Sequence, residues 1–188
     1  MQKNAKFVSN GRFTDYFKTR SNYFRRLSPQ DEQDLYEELT AQMERLTAGG
    51  IELTHADSHH HIHWNWMLAP IFFRVCREHG IDRVRRHKNV RGRFKLWNGL
   101  YACIYGMRLR RNGFRSPEHF ESIRMYEKPL PGISEMMVHP DYDPDGVLID
   151  REKKEYLPDG KVAARGKALE PLVRSRAGSV QKTEYARL

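Results

Sequence analysis

The chain has 188 residues, 39% of them hydrophobic and 30% charged, and a formal net charge of +9. That size fits one domain with a real core, and its longest apolar run, Met67 to Phe73, is interrupted by Pro70 and falls far short of the roughly 20 residues a bilayer span requires, so no membrane crossing is expected. The opening Met-Gln-Lys-Asn-Ala-Lys lacks the apolar stretch of a secretion signal, and Cys76 and Cys103 both lie in apolar patterns that suggest buried reduced thiols, so a cytoplasmic location follows by default.

Lys6 to Ser9, followed by Asn10-Gly11, reads as a short strand or arm ending in a turn. Ser28-Pro29-Gln30-Asp31 then offers an N-cap, a proline in the first turn and an acidic third position. Leu35, Leu39, Met43 and Leu46 recur at helical spacing and Gly49-Gly50 closes the segment, which predicts an amphipathic helix. Ile51 to Asp57 reads as a strand. Leu68 to His79 reads as a second helix, with Leu68, Ile71, Phe72 and Val75 inward and Gly80 as its stop, and Ile81 to Arg85 as the next strand. Helix, strand, helix, strand in this order implies an α/β fold with a parallel sheet flanked by helices, whose chemistry collects at the carboxyl ends of the strands.

Asn98 to Arg111 predicts a third helix with a basic last turn. Ile133 to Val138, which contains Glu135 and ends at His139-Pro140, predicts another strand of the same sheet. Asp143-Pro-Asp-Gly146 and Pro158-Asp-Gly160 are turn sequences. The expected domain covers residues 1–150, and residues 151–188 form a polar extension with a short helix at Ala163 to Val173 and a frayed or disordered tail after Arg174. The arginines between Arg83 and Arg115 could mark a nucleic-acid footprint, but a charge run of this kind is equally a solvated face.

Between the first strand and the second helix lies Thr54-His-Ala-Asp-Ser-His-His-His-Ile-His63. In an extended segment His55, Asp57, His59, His61 and His63 project to one side, while Ala56, Ser58, His60 and Ile62 project to the other. A carboxylate and imidazoles facing one cleft are the donors a divalent ion takes. Same-face positions step by roughly 6.6 Å, so at most one or two of the five can touch a single ion. The others would then position partners, bind substrate or carry protons. The second chemical segment is Glu135-Met-Met-Val-His139-Pro140-Asp141-Tyr-Asp143, in which a histidine at a strand end, fixed by the following proline, is a mount for a proton donor.

Together with Glu78-His-Gly-Ile81, Val84-Arg85 and Gly132 to Asp143, these motifs resemble the YdjC-like family of carbohydrate deacetylases, over about Phe7 to Asp150. That family includes chitooligosaccharide deacetylases and relatives linked to hopanoid biosynthesis. The resemblance implies a partial or distorted (β/α) barrel and hydrolysis of an N-acetyl group on an amino sugar, assisted by magnesium or zinc. By position it makes His59 the metal ligand, with Asp57 and His61 beside it and His63 lining the site. Arg85 would stand near the substrate, His139 would protonate the leaving amine, and Glu135 would orient His139 or a sugar hydroxyl.

The family's opening strand with its Asp-Asp motif, and a later Gly-x-His stretch, have no counterpart in this sequence. The expectation is therefore a C-terminal portion lacking two of three ligands and the base, either a truncated product or one part of a split enzyme whose missing N-terminal half a separate chain supplies. A homo-oligomer would not restore those groups, since every copy lacks the same segment. A non-catalytic module that binds a sugar or a partner is the alternative, and nucleic-acid binding through the arginine-rich surface ranks last.

Overall fold

The computed structural model describes residues 6–9, 12–87, 96–122, 131–156 and 162–169. Strands β1 (Val8–Ser9) and β2 (Arg12–Phe13) pair antiparallel as the expected arm, and the Asn10-Gly11 turn lies outside the described residues. Helix α1 (Pro29–Ala48) begins where its cap sequence placed it. The Ser28 hydroxyl accepts from the Asp31 amide, and the Asp31 carboxylate accepts from the Ser28 amide. Leu35 and Leu39 of its apolar stripe are buried, whereas Leu46 is 42% exposed. Helix α2 (Ala69–Glu78) buries Phe72, Phe73, Val75 and Cys76 and stops at Gly80, whose φ of 72° suits glycine.

Among the described residues the chain divides into two compact units. One takes residues up to His87 together with Leu100–Ser116, and the other takes 96–99 together with Pro117 onward. The first unit is centred on three extended segments in parallel. Ala56 bridges Val84, and Arg83 bridges Arg115, with the 81–85 segment in the middle. The ladder is short, so the strands expected at Ile51 to Asp57 and Ile81 to Arg85 are present as single bridges rather than full strands. Helix α2 and the Leu100 to Arg111 part of helix α3 (Leu96–Arg111) belong to this unit, and Tyr105 and Leu109 of α3 are fully buried.

In the second unit β3 (His119–Ser122) pairs in parallel with β4 (Ser134–Met137), setting Phe120 beside Glu135. The Ile133 to Val138 strand is thus present, but its partner is β3, a segment without periodic signal, and not the ladder of the first unit. Strands β5 (Pro140–Tyr142), β6 (Leu148–Tyr156) and β7 (Val162–Ala168) form an antiparallel sheet in that order. The helix expected at Ala163 to Val173 is corrected by β7. Pairing with β6 overrides the helix propensity of its alanines, because strand preference follows tertiary context. Residues 170–188, including the expected tail, lie outside the described residues. The fold is mixed α/β, and no closed barrel forms among the described residues.

Candidate active site

The parallel bridge at Ala56 is made by two backbone bonds. The Ala56 amide donates to the Arg83 carbonyl at 2.9 Å, and the Arg85 amide donates to the Ala56 carbonyl at 3.1 Å. The next residues on the two segments, Asp57 and Arg85, form an ion pair. Both were sequence-predicted site residues, and the bridge brings them together.

Past Ser58 the histidine run leaves the extended conformation. His59–Trp64 coils into a short 3-10 turn in which His60 (φ 55°, ψ 19°) and His61 (φ 57°, ψ 31°) are left-handed. The expected alternation of five side chains on one face therefore ends at His59. Two left-handed residues in succession rotate everything that follows out of register.

His61 packs its ring on Trp64, with centroids 4.2 Å apart and planes 12° from parallel. His63 is buried completely. Its Nε2 lies 3.1 Å from the Arg85 carbonyl, an obligate acceptor, so Nε2 carries the proton and Nδ1 accepts from the Ser58 hydroxyl at 2.7 Å. The same Ser58 oxygen accepts from the His63 amide at 2.9 Å, and Tyr105 donates its hydroxyl to the His63 carbonyl at 3.0 Å. Burial pushes the His63 imidazole down to about 3, so it is neutral at physiological pH. In this conformation His63 supports the turn and does not line the cleft.

A cleft of about 710 Å³ opens beside the run, wholly within the first unit. Leu39, Met43 and Leu46 of α1 contribute to its apolar lining. His55, Asp57, Ser58, His59 and His60 line it as well. Three of the five predicted residues thus share the cleft, joined by Ala56, Ser58, His60 and Ile62, which alternation would have placed on the far face. For His60 that exchange goes with the left-handed turn, which no sequence periodicity signals.

In the second unit His139 stands at the start of β5, partly exposed, and its backbone amide donates to the buried Asp150 carboxylate at 3.1 Å. The other Asp150 oxygen lies 3.7 Å from the His139 Nδ1. Asp150 was not among the expected residues, yet a signal for it existed. Counting outward from the Asp143-Pro-Asp-Gly146 turn sets Tyr142 opposite Leu148 and Pro140 opposite Asp150. Glu135 is partly buried in β4.

Much of the basic stretch is engaged within the chain. Arg83 and Arg115 both pair with Asp82, Arg85 pairs with Asp57, and Arg108 lies 4.0 Å over the Trp66 ring. No group of three His, Cys, Asp or Glu side chains converges among the described residues as a metal shell requires, and Arg85 already occupies the Asp57 carboxylate. The described residues therefore do not fit a divalent ion as a self-sufficient set.

Among known proteins, a carbohydrate deacetylase of Halalkalibacterium halodurans is 29% identical over 127 residues, covering 67% of this chain and 50% of the relative. A carbohydrate deacetylase of Brevibacillus brevis is 39% identical over 49 residues, 26% of this chain and 20% of the relative. One of Vibrio campbellii is 40% identical over 50 residues, 27% of this chain and 20% of the relative. The matches span half or less of these relatives' length. No solved structure matches. The model of the YdjC-like protein family matches residues 3–177, a span that takes in the cleft with its histidine turn as well as His139 and Asp150, and by that match the chain belongs to the YdjC-like family.

Proposed function

We propose that the chain serves a carbohydrate deacetylase-like hydrolase acting on the N-acetyl group of an amino sugar. The observation that carries the reading is the cleft, whose lining combines His55, Asp57 and His59 of the histidine run with Leu39, Met43 and Leu46 of α1. A sugar ring presents an apolar C–H face and a rim of hydroxyls, and a lining that holds both apolar side chains and imidazole and carboxylate groups complements both. Family membership and the names of the curated relatives support the same activity.

Amide hydrolysis needs an activated water, stabilisation of a developing oxyanion and an acid for the departing nitrogen. In this reading His59 contacts the acetyl group, Arg85 holds Asp57 against the substrate rim, and His63 fixes the turn from below. By the family resemblance His139, beside Asp150 in the second unit, takes the part of the proton donor and Glu135 that of a further polar contact. Magnesium or zinc would take His59, Asp57 and His61 as the motif's donors. Those three do not converge, so an ion would need donors from beyond the described residues. A separate chain is one source of such donors.

The test is acetate release from N-acetylglucosamine oligomers by the purified chain, followed by proton NMR with and without added zinc or magnesium. Release that disappears in His59→Ala and His139→Ala supports the reading, whereas release unaffected by either variant would overturn it. A second reading, a sugar-binding module without catalysis, is favoured by the Asp57–Arg85 pair, which holds the carboxylate without any metal. Its signature is calorimetric sugar binding that ignores a chelator while no acetate appears.

A further inference from the structure

His60 and His61 both have left-handed backbone, a conformation that costs non-glycine residues energy and that glycine or asparagine would adopt with less strain. Local bonds hold the turn in place. The His61 amide donates to the Ser58 carbonyl at 2.9 Å, and the Ser58 hydroxyl clamps the His63 amide and ring. The imidazole of His61 has a structural use, stacked on Trp64. The imidazole of His60 is exposed, lines the cleft, and lies with its ring centroid 4.0 Å from that of His59.

On an extended strand adjacent side chains point to opposite faces, so the rings of His59 and His60 could not lie side by side in the cleft. The left-handed turn makes it possible for both to do so. Backbone strain of this kind tends to persist where a site uses the geometry it creates.

We propose that His60 is a substrate-binding residue, brought into the cleft beside His59 by the left-handed turn, where it hydrogen-bonds a hydroxyl or the acetyl oxygen of an amino sugar. The proposal rests on the amino-sugar reading of the cleft.

The experiment is calorimetric titration of the full chain with N,N′-diacetylchitobiose, alongside thermal melting, for the wild type, His60→Gly and Trp64→Phe. Glycine accepts the left-handed φ, so His60→Gly should melt close to the wild type while binding weakens by about three- to tenfold, the worth of one neutral hydrogen bond. Trp64→Phe alters the packing under the turn from outside the cleft and should keep wild-type affinity. If His60→Gly does not fold, His60→Asn takes its place under the same criterion, since asparagine also adopts left-handed backbone but falls short of the imidazole's reach. Equal affinity in the wild type and the His60 variant overturns the proposal and leaves the amino-sugar reading standing. Equal weakening in His60→Gly and Trp64→Phe also overturns it, because the effect would belong to the turn and not to His60. Absence of binding by the wild type removes the amino-sugar reading itself, and the proposal with it.

Discussion

The Asp57 carboxylate is held by the Arg85 guanidinium one residue beyond the parallel bridge that joins Ala56 to Val84. Parallel register places these two side chains on the same face of the ladder, so the ion pair follows from the backbone pairing. The Asp57 side chain remains 36% exposed and that of Arg85 only 16%, which lets the carboxylate border the cleft while the cation is packed beneath it. Arg85→Met keeps most of the packing and removes the charge. The exposure of Asp57 limits the stability cost to about 1 kcal/mol or less. The released carboxylate, beside His59, then becomes available to a cation, so zinc affinity measured by calorimetry should rise above that of the wild type. Identical titrations would mean that Arg85 does not compete for Asp57.

The buried imidazole of His63 makes stability depend on pH with a definite sign. Its folded-state value, about 3, lies below the ordinary histidine value of 6.5, so the unfolded chain binds the proton more readily. The contribution is fully present above pH 6.5 and is lost progressively as pH falls toward 3. The integrated effect is on the order of several kcal/mol, at 1.36 kcal/mol per pH unit of difference. Denaturant unfolding between pH 7 and pH 4 should show this loss. His63→Gln, which keeps a hydrogen-bonding side chain without titrating, should be less stable at pH 7 yet flatter across the range. An equally steep profile in the variant would place the titration elsewhere.

What the sequence made legible divides along the range of the forces involved. Helix α1 could be read from its cap and its stripe, since both are local, and α2 from Leu68, Phe72, Val75 and Gly80 for the same reason. The histidine run was legible as a site but not in its geometry. Alternation assumes a uniform backbone, and nothing in three consecutive histidines announces that the middle one and its successor turn left-handed. Strand β7 was misread because its sequence carries alanines and no alternation, and only the edge offered by β6 makes it a strand. Asp150 lay within reach of the turn-counting argument, but its burial against His139 is a tertiary fact.

The N-terminus of α1 provides a stability test independent of the cleft. Ser28→Ala removes the acceptor for the Asp31 amide and should cost about 1 kcal/mol. Asp31 has two duties, accepting from the Ser28 amide at 3.2 Å and pairing with Lys6 at 2.6 Å, and its side chain is only 11% exposed. Asp31→Ala should therefore be the more damaging change in thermal melts. It should also loosen the attachment of the N-terminal arm, visible as faster exchange of the Thr14 amide, which donates to the Phe7 carbonyl. If the two variants melt alike, the Lys6 contact contributes nothing measurable.

Asp150 is the strongest test of the second motif, because a carboxylate with no solvent exposure is costly unless its surroundings use the charge. Its oxygens receive the His139 amide at 3.1 Å and face the His139 Nδ1 from 3.7 Å. A carboxylate beside Nδ1 favours the tautomer that carries its proton there, which makes Nε2 the basic nitrogen of the neutral ring. Asp150→Asn preserves size and an acceptor for the backbone amide, so folding should survive with a loss of about 1 kcal/mol, while Asp150→Ala should lose about 1–3 kcal/mol by leaving a buried amide unsatisfied. Nitrogen-15 NMR of the histidine rings separates support from function. In the wild type the neutral His139 ring should be predominantly protonated at Nδ1, and in Asp150→Asn the balance should move toward Nε2. Any acetate release should fall through kcat, with KM little changed, since a proton donor acts in the reaction step and not in ground-state binding. A tautomer balance unchanged by Asp150→Asn would reduce Asp150 to a backbone anchor for the start of β5.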